Sequence, residues 1–265
     1  MDDATARRIA AGLFAAHREK ARYRPSPDDV TSLPLEFAYR VQDAFNRLQE
    51  EAGAGEPVGY KVALTSAAMQ AFVGVGHPLA GVVYSSRVHP SPSRQSLADY
   101  QHVGVEFEVT VRLGDGLPAA AGPHTRDSVA RVVAACAPSY ELVEDRDADF
   151  AEVNAFNLVA ENSWNAGLIL GEEVTGWQRV DLERGATRLW VDGEPSGEGR
   201  IGDALGHPFD AVAWLANLLN TQGRQLEAEM LVMTGSSITT RFPAAGEHYR
   251  FAVDGLGEVS MEWTA

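Results

Sequence analysis

The stretch Gly104-Val105-Glu106-Phe107-Glu108-Val109-Thr110-Val111 alternates apolar and polar residues, and the alternation runs from Val103 to Leu113. A period of two is that of a β-strand with one buried face. Val105, Phe107, Val109, Val111 and Leu113 then share one side, and Glu106, Glu108, Thr110 and Arg112 the other. At about 3.3 Å per residue, the two glutamates stand roughly 7 Å apart along one face of a stiff element. Like charges so placed call for solvent, a shared proton or a cation. A hard divalent ion such as Mg²⁺ or Mn²⁺ takes oxygen ligands of this kind. Taken alone, the pair reads more simply as a solvated outer face, so a metal reading needs a third ligand from elsewhere in the chain.

Outward from this strand, the pattern changes from helices to strands. Residues 4–22 predict an amphipathic helix with Ile9, Leu13 and Ala16 on one stripe, ended by Pro25 and Pro27. A second helix is expected over about 34–52, with Phe37, Val41, Phe45 and Leu48 inward and Gly53-Ala54-Gly55 closing it. These helices suggest a small N-terminal helical subdomain over residues 1–57, followed by a β-rich catalytic domain over 58–265. Val58–Leu64 reads as a strand, with Thr65 or Ser66 capping a helix that follows. Further strands are expected at 138–143, 155–160, 166–171, 187–192, 230–234, 247–253 and 257–263, and helices at 125–136 and 208–221. Many short strands with few helices predict an α+β protein with a mixed or antiparallel sheet structure.

Composition narrows the function classes. The chain has 265 residues, enough for one large domain or one domain with an appendage, and 45% are hydrophobic. Thirty-seven acidic residues against 22 basic ones give a net charge of −15, which argues against nucleic acid or an anionic membrane as partner. A small anionic substrate remains open, because one local cation overrides the global field. No apolar run approaches the length of a membrane span, about 18 residues or more. Met1-Asp2-Asp3 does not begin a signal-peptide pattern. The single cysteine, Cys136, excludes an internal disulfide and fits a cytoplasmic protein; Val132–Cys136 reads as a buried helix face, with a structural rather than a nucleophilic thiol. A Ser-His-Asp hydrolase is disfavoured because the chain has no Gly-x-Ser-x-Gly elbow. Gly74-Val75-Gly76 lacks the third glycine of a dinucleotide fingerprint.

A third acidic candidate lies in Pro138-Ser139-Tyr140-Glu141-Leu142-Val143-Glu144-Asp145-Arg146. Glu141 falls inside an otherwise apolar segment, where a charge is costly unless paired or metal-bound. Glu144-Asp145-Arg146 reads as a solvated strand end with Arg146 pairing locally.

Gly59-Tyr60-Lys61-Val62-Ala63-Leu64-Thr65-Ser66, Glu106-Phe107-Glu108, Glu141-Leu142-Val143-Glu144-Asp145-Arg146, Val212-Ala213-Trp214-Leu215-Ala216-Asn217 and Thr234-Gly235-Ser236 occur in one chain. In combination they resemble the hydratase/decarboxylase branch of the fumarylacetoacetate hydrolase superfamily, which includes 2-hydroxypenta-2,4-dienoate hydratases and 4-oxalocrotonate decarboxylases. The resemblance extends from about residue 30 to the C-terminus. It implies a mixed β-sandwich roll with a small N-terminal helical part, and one Mg²⁺ or Mn²⁺ held by Glu106, Glu108 and Glu141. It makes Lys61 a catalytic residue and Ser66, Arg146, Asn162 and Ser236 candidates for substrate binding. It also implies a small 2-oxo acid as substrate, and a homo-oligomer or an association with a sister enzyme of the same pathway.

A cation so held would polarise a 2-oxo carbonyl and stabilise a developing enolate. Water addition to a 2-hydroxy-2,4-dienoate is the first expectation, decarboxylation of a 4-oxalocrotonate-like acid the second, and C–C hydrolysis of an acylpyruvate the third. An inactive family member serving as a binding subunit is the non-enzymatic alternative. A lysine beside a metal is expected to have a lowered pKa that suits proton transfer. Two stretches depart from the family's pattern. Leu79, in Gly76-His77-Pro78-Leu79-Ala80-Gly81, stands where many hydratases carry an acid. Trp164 and Asn165, in Glu161-Asn162-Ser163-Trp164-Asn165, stand where serines are usual.

Overall fold

The structure, a computed structural model, describes residues 2–265. Asp2 caps the first helix, α1 (Asp3–Arg18), by accepting the Thr5 N–H at 2.9 Å. A single turn, α2 (Asp28–Thr31), and then α3 (Leu35–Gln49) follow. α1 and α3 pack together, with Phe14 edge-on to Phe45 at 6.3 Å. The buried Gln42 of α3 donates to the backbone carbonyls of Ala80 and Val159, both at 2.8 Å, and so ties the helices to the β-rich body.

The remaining elements, in order, are β1 (Pro57–Ala63), α4 (Ala67–Phe72), β2 (Leu79–Tyr84), β3 (Val88–Pro90), β4 (Ser93–Ser96), β5 (Val103–Leu113), α5 (Arg126–Ala130), β6 (Val133–Glu144), α6 (Ala155–Ala160), β7 (Asn165–Leu170), β8 (Ala186–Val191), β9 (Glu194–Arg200), α7 (Pro208–Thr221), β10 (Leu231–Ser236), β11 (His248–Val253) and β12 (Gly257–Thr264). A seven-stranded sheet has the order β2-β1-β10-β5-β6-β7-β3, and a five-stranded sheet the order β4-β12-β11-β8-β9. Both are mixed: β1 runs parallel to β10, β3 to β7 and β4 to β12, and the other pairs are antiparallel. No helix among the described residues is long and apolar enough to cross a membrane.

The alternation in β5 sets the packing between the sheets. Phe107 lies opposite Tyr140 of β6 and meets Phe251 of β11 at 5.6 Å and Tyr249 at 6.2 Å. The Tyr140 hydroxyl donates to the Val259 carbonyl of β12 at 2.9 Å, so this buried ring is satisfied across the sandwich.

Three expectations are corrected. Residues 155–160 form the helix α6, not a strand. Asn154 caps it through the Asn157 N–H at 2.9 Å, and every residue of α6 is buried. A short apolar run buried on all sides has no period by which to tell helix from strand. The helix expected over 125–136 stops at Ala130, and β6 begins at Val133 to match the eleven-residue β5. Cys136 is therefore on a strand, opposite Val111. It is fully buried, and burial pushes its thiol up to about 12, which leaves a structural thiol. Asp145 and Arg146 are not a solvated strand end: they are 3% and 2% exposed.

Candidate active site

The β5–β6 register places Glu106 directly opposite Glu141, with Glu108 two residues along on the same face. Like charges directly opposite one another destabilise a sheet, and here Glu108 is 1% exposed and Glu141 fully buried. One carboxylate oxygen from each of the three lies within 4.8 Å of those of the other two. The outer-face reading of the Glu106–Glu108 pair therefore fails: the polar side of β5 faces inward.

Each carboxylate is oriented by a separate donor. Thr240 Oγ1 donates to Glu106 Oε1 at 3.0 Å, the Gly235 N–H to Glu108 Oε2 at 2.8 Å, and Asn165 Nδ2 to Glu141 Oε1 at 3.0 Å. Gly235 has φ +108°, and a Cβ there would lie 2.4 Å from Thr65, so glycine is required for this donor to reach β5. Glu108 Oε1 and Glu141 Oε2 are buried with no hydrogen-bond partner. Burial and the neighbouring Glu141 and Glu106 push Glu108 well above the ordinary carboxylate range. Burial likewise raises Glu141 to about 7, against the pull of Lys61. Inward-facing carboxylates with orphaned oxygens are the donor set of a hard divalent cation, and these residues fit one.

Lys61 projects from β1, 2% exposed, with Nζ 3.1 Å from Glu141 Oε1 and 3.2 Å from the Ser163 carbonyl. That carbonyl is presented by an unusual turn: Asn162, Ser163 and Trp164 all have positive φ, at 58°, 49° and 59°. The turn presses on β2 at Gly81, where a Cβ would lie 2.5 Å from the Asn162 carbonyl. Consecutive left-handed residues cost energy and persist only where the surroundings over-determine them. Burial alone would depress the Lys61 ammonium, but Glu141, Glu106 and Glu108 together outweigh it and hold its pKa above the ordinary lysine value. That direction belongs to the metal-free cluster, in which three carboxylates surround the amine; the expected lowering concerns the same lysine beside a bound cation.

Lys61 and Glu106 line a cavity of about 550 Å³ together with Ser66, Asp145 and Ser236. Its wall is apolar, from Phe72, Phe150, Trp164 and Phe242. Ser66 caps α4 through the Met69 N–H at 3.3 Å, as expected from sequence. Ser236 Oγ accepts the Phe107 N–H at 2.8 Å and donates to the Ile238 carbonyl at 2.6 Å, so its hydroxyl is engaged in holding β10 against β5. Asp145 Oδ1 accepts from His102 Nδ1 across 2.6 Å, and His102 stacks on Phe242 at 4.5 Å.

The structure does not bring Arg146 and Asn162 to this cavity. The Asn162 amide is spent on the Val82 backbone, at 2.6 Å to its N–H and 2.9 Å to its carbonyl. Arg146 pairs with the buried Glu161, not with its sequence neighbours, and donates to the Ala21 carbonyl at 2.8 Å. Leu79 is buried and also absent from the cavity wall. Trp164 both lines the cavity and packs edge-on to Tyr23 and Phe150. Sequence reasoning did not find Gly235, Thr240, Asn165, Asp145 or His102 as members of the site. Asn165 was visible only as a departure, and Thr240 carries no local signal.

A match to the family described as Fumarylacetoacetate (FAA) hydrolase C-terminal spans residues 39–262. The chain is 30% identical to a 2-keto-4-pentenoate hydratase of Burkholderia vietnamiensis, over 99% of each chain. It is 30% identical to a 4-oxalocrotonate decarboxylase of Pseudomonas putida, over 89% of this chain and 88% of that one. Among solved structures, the 4-oxalocrotonate decarboxylase of Pseudomonas putida G7, complexed with magnesium and adipate, superposes with a TM-score of 0.91 at 26% identity, over 99% of this chain and 98% of that one.

Proposed function

This chain belongs to the fumarylacetoacetate hydrolase family, and from that premise we propose that it is a divalent-metal-dependent hydro-lyase that adds water to a 2-hydroxy-2,4-dienoate to give a 4-hydroxy-2-oxo acid. The observation that carries the reading is the inward-facing Glu106, Glu108 and Glu141 set with two orphaned oxygens. These three residues would hold Mg²⁺ or Mn²⁺, and the bound ion would supply Lewis-acid polarisation of the 2-oxo carbonyl.

The chain's own side chains account for the rest. Lys61 is the one cation among the described residues lining the cavity, and its Nζ lies 3.1 Å from Glu141 Oε1. It offers a counter-charge to the substrate carboxylate and a proton to the dienol carbon during ketonisation. Asp145 is the cavity acid outside the carboxylate cluster, and His102 fixes it. That pair is placed to orient the water that adds at C4 while C3 takes a proton. It stands in for the acid that Leu79 does not provide. Phe72, Phe150, Trp164 and Phe242 accept an apolar substrate tail.

Met69, Phe72, Phe150 and Phe242 are 41%, 50%, 45% and 46% exposed around this cavity, an apolar rim suited to cover by a second subunit. The reading therefore includes a homo-oligomer or association with a sister enzyme of the pathway.

Decarboxylation of a 4-oxalocrotonate-like acid is the second reading, favoured by Leu79 and by the likeness to a decarboxylase structure. Product analysis with 2-hydroxypenta-2,4-dienoate and with 4-oxalocrotonate under Mg²⁺ separates them. The 4-hydroxy-2-oxo acid from the first substrate is expected. CO₂ release from the second, with no turnover of the first, would replace hydration by decarboxylation.

A further inference from the structure

A second cavity, of about 380 Å³, lies on the far side of the Asn162–Trp164 turn, between the N-terminal helices and the seven-stranded sheet. Its charge is opposite in character to that of the chain. Arg18, Lys20, Arg87 and Arg146 line it against Asp99, Glu144 and Glu161, within a protein of net charge −15. One of the three acids is neutralised by ion pairing, and a second is held by backbone donors. Glu161 is paired with Arg146 and with His17 at 2.8 Å, and Glu144 receives the Gln101 and His102 N–H groups at 3.0 and 2.7 Å. Asp99 is exposed at the rim.

Arg87 has no such partner. No carboxylate among the described residues pairs with it. Its guanidinium makes only long contacts, 3.3 Å to Gln49 Oε1 and 3.4 Å to the Asn165 carbonyl, and lies over the Tyr84 ring. A largely desolvated arginine without a counter-charge is costly. Three further polar atoms on this wall are buried and unpartnered: Arg146 Nε, Trp164 Nε1 and Asn165 Oδ1, in side chains 2%, 8% and 5% exposed. Arg146 Nε and Trp164 Nε1 are donors and Asn165 Oδ1 an acceptor; the two donors, with the Arg87 guanidinium, next to the rings of Phe14, Phe45 and Tyr100 suit an anion with an apolar body rather than a bare inorganic ion.

We propose that this cavity binds a small organic carboxylate, with Arg87 as its principal counter-charge, and that the site is an effector site for the carboxylate cluster. Two residues join the cavities. Asn165 presents its carbonyl to Arg87 and its amide to Glu141, and Trp164 lines both spaces. An occupant that reorients Asn165 alters the donor set of Glu141, and binding in one cavity changes affinity in the other by the same factor in both directions.

Benzoate is the probe, titrated calorimetrically into EDTA-treated protein. Lys61 gives the first cavity a cation of its own, so a variant on that cavity's wall is needed to show where benzoate sits. One saturable site per chain is expected, weakened about tenfold or more in Arg87→Gln, the value of one charge-assisted contact. Phe72→Ala, on the wall of the first cavity, is expected to leave it unchanged. Should Arg87→Gln not fold, Arg18→Gln at the exposed rim gives a smaller loss. Benzoate is also expected to shift Mg²⁺ affinity in the parent protein and not in Arg87→Gln. Absence of saturable binding, or binding that Phe72→Ala weakens and Arg87→Gln does not, overturns the site. Mg²⁺ affinity indifferent to benzoate overturns its effector role.

Discussion

One face of the β5–β6 pair buries Phe107 against Tyr140, Tyr249 and Phe251; the other buries Glu108 and Glu141, with the half-buried Glu106 opposite Glu141. The two faces share one backbone ladder, so neither differs from the other in strand pairing. On the first, side-chain burial and ring contacts stabilise the fold outright. On the second, desolvated like charges oppose folding, and the donors that hold them come from β1, β7, the end of β10 and the loop after it. Apolar packing on one side of a strand thus fixes the positions of groups on the other that would not remain together by their own interactions.

That division of labour is testable. Glu108→Gln keeps the acceptor for the Gly235 N–H and removes one buried charge from the cluster. Turnover is expected to fall by on the order of a thousandfold or more, about 4 kcal/mol. Thermal stability of the metal-free protein at neutral pH is expected to hold or rise, because a carboxyl group that burial forces to take up a proton has gone. Unchanged turnover and Mg²⁺ affinity in this variant would remove Glu108 from the ligand set. Phe107→Ala is expected to do the reverse. Truncating a fully buried ring costs roughly 3–5 kcal/mol of stability, read by denaturant unfolding, while the folded fraction keeps its Mg²⁺ affinity. If that affinity falls as steeply as the stability, the two faces are not separable.

The same division governs what could be read from the sequence. The alternation from Val103 to Leu113 announced both faces, because a period of two is a local property of the chain. Glu141 was legible from the cost of a charge in an apolar run. Lys61 was not: a strand lysine reads as a surface residue until its neighbours are known, and only the family pattern singled it out. Gly235 and Thr240 reach the carboxylates from more than 120 residues away in the chain, which no local pattern encodes. Arg146 was paired with Glu144 and Asp145 because they adjoin it. Its partner Glu161 lies across α6, itself misread as a strand because all six of its residues are buried. The errors thus concentrate where complete burial erases periodicity or where a tertiary contact overrides a sequence neighbour.

The smallest expected effect is a pH dependence of opposite sign in the presence and absence of metal. Burial raises Glu141 from an ordinary value of 4.5 to about 7, and Glu108 is raised in the same direction. A carboxylate whose folded-state pKa is raised binds its proton more tightly folded than unfolded. Its contribution to stability is therefore complete below about pH 4.5 and is lost as pH rises toward 7. Metal-free protein should accordingly lose stability across that interval, and Glu108→Gln should lose less. A cation needs the same carboxylates ionised, so each proton it displaces makes binding up to about tenfold tighter per pH unit over the same range. Thermal melts at pH 5, 6 and 7.5, with EDTA and with saturating Mg²⁺, should show the first trend downward and the stabilisation by Mg²⁺ growing. A metal-free melting temperature that rises with pH in parent and variant alike would mean that the carboxylates are ionised in the folded, empty cluster, and that the aromatic face is holding together a charge pair rather than a protonated one.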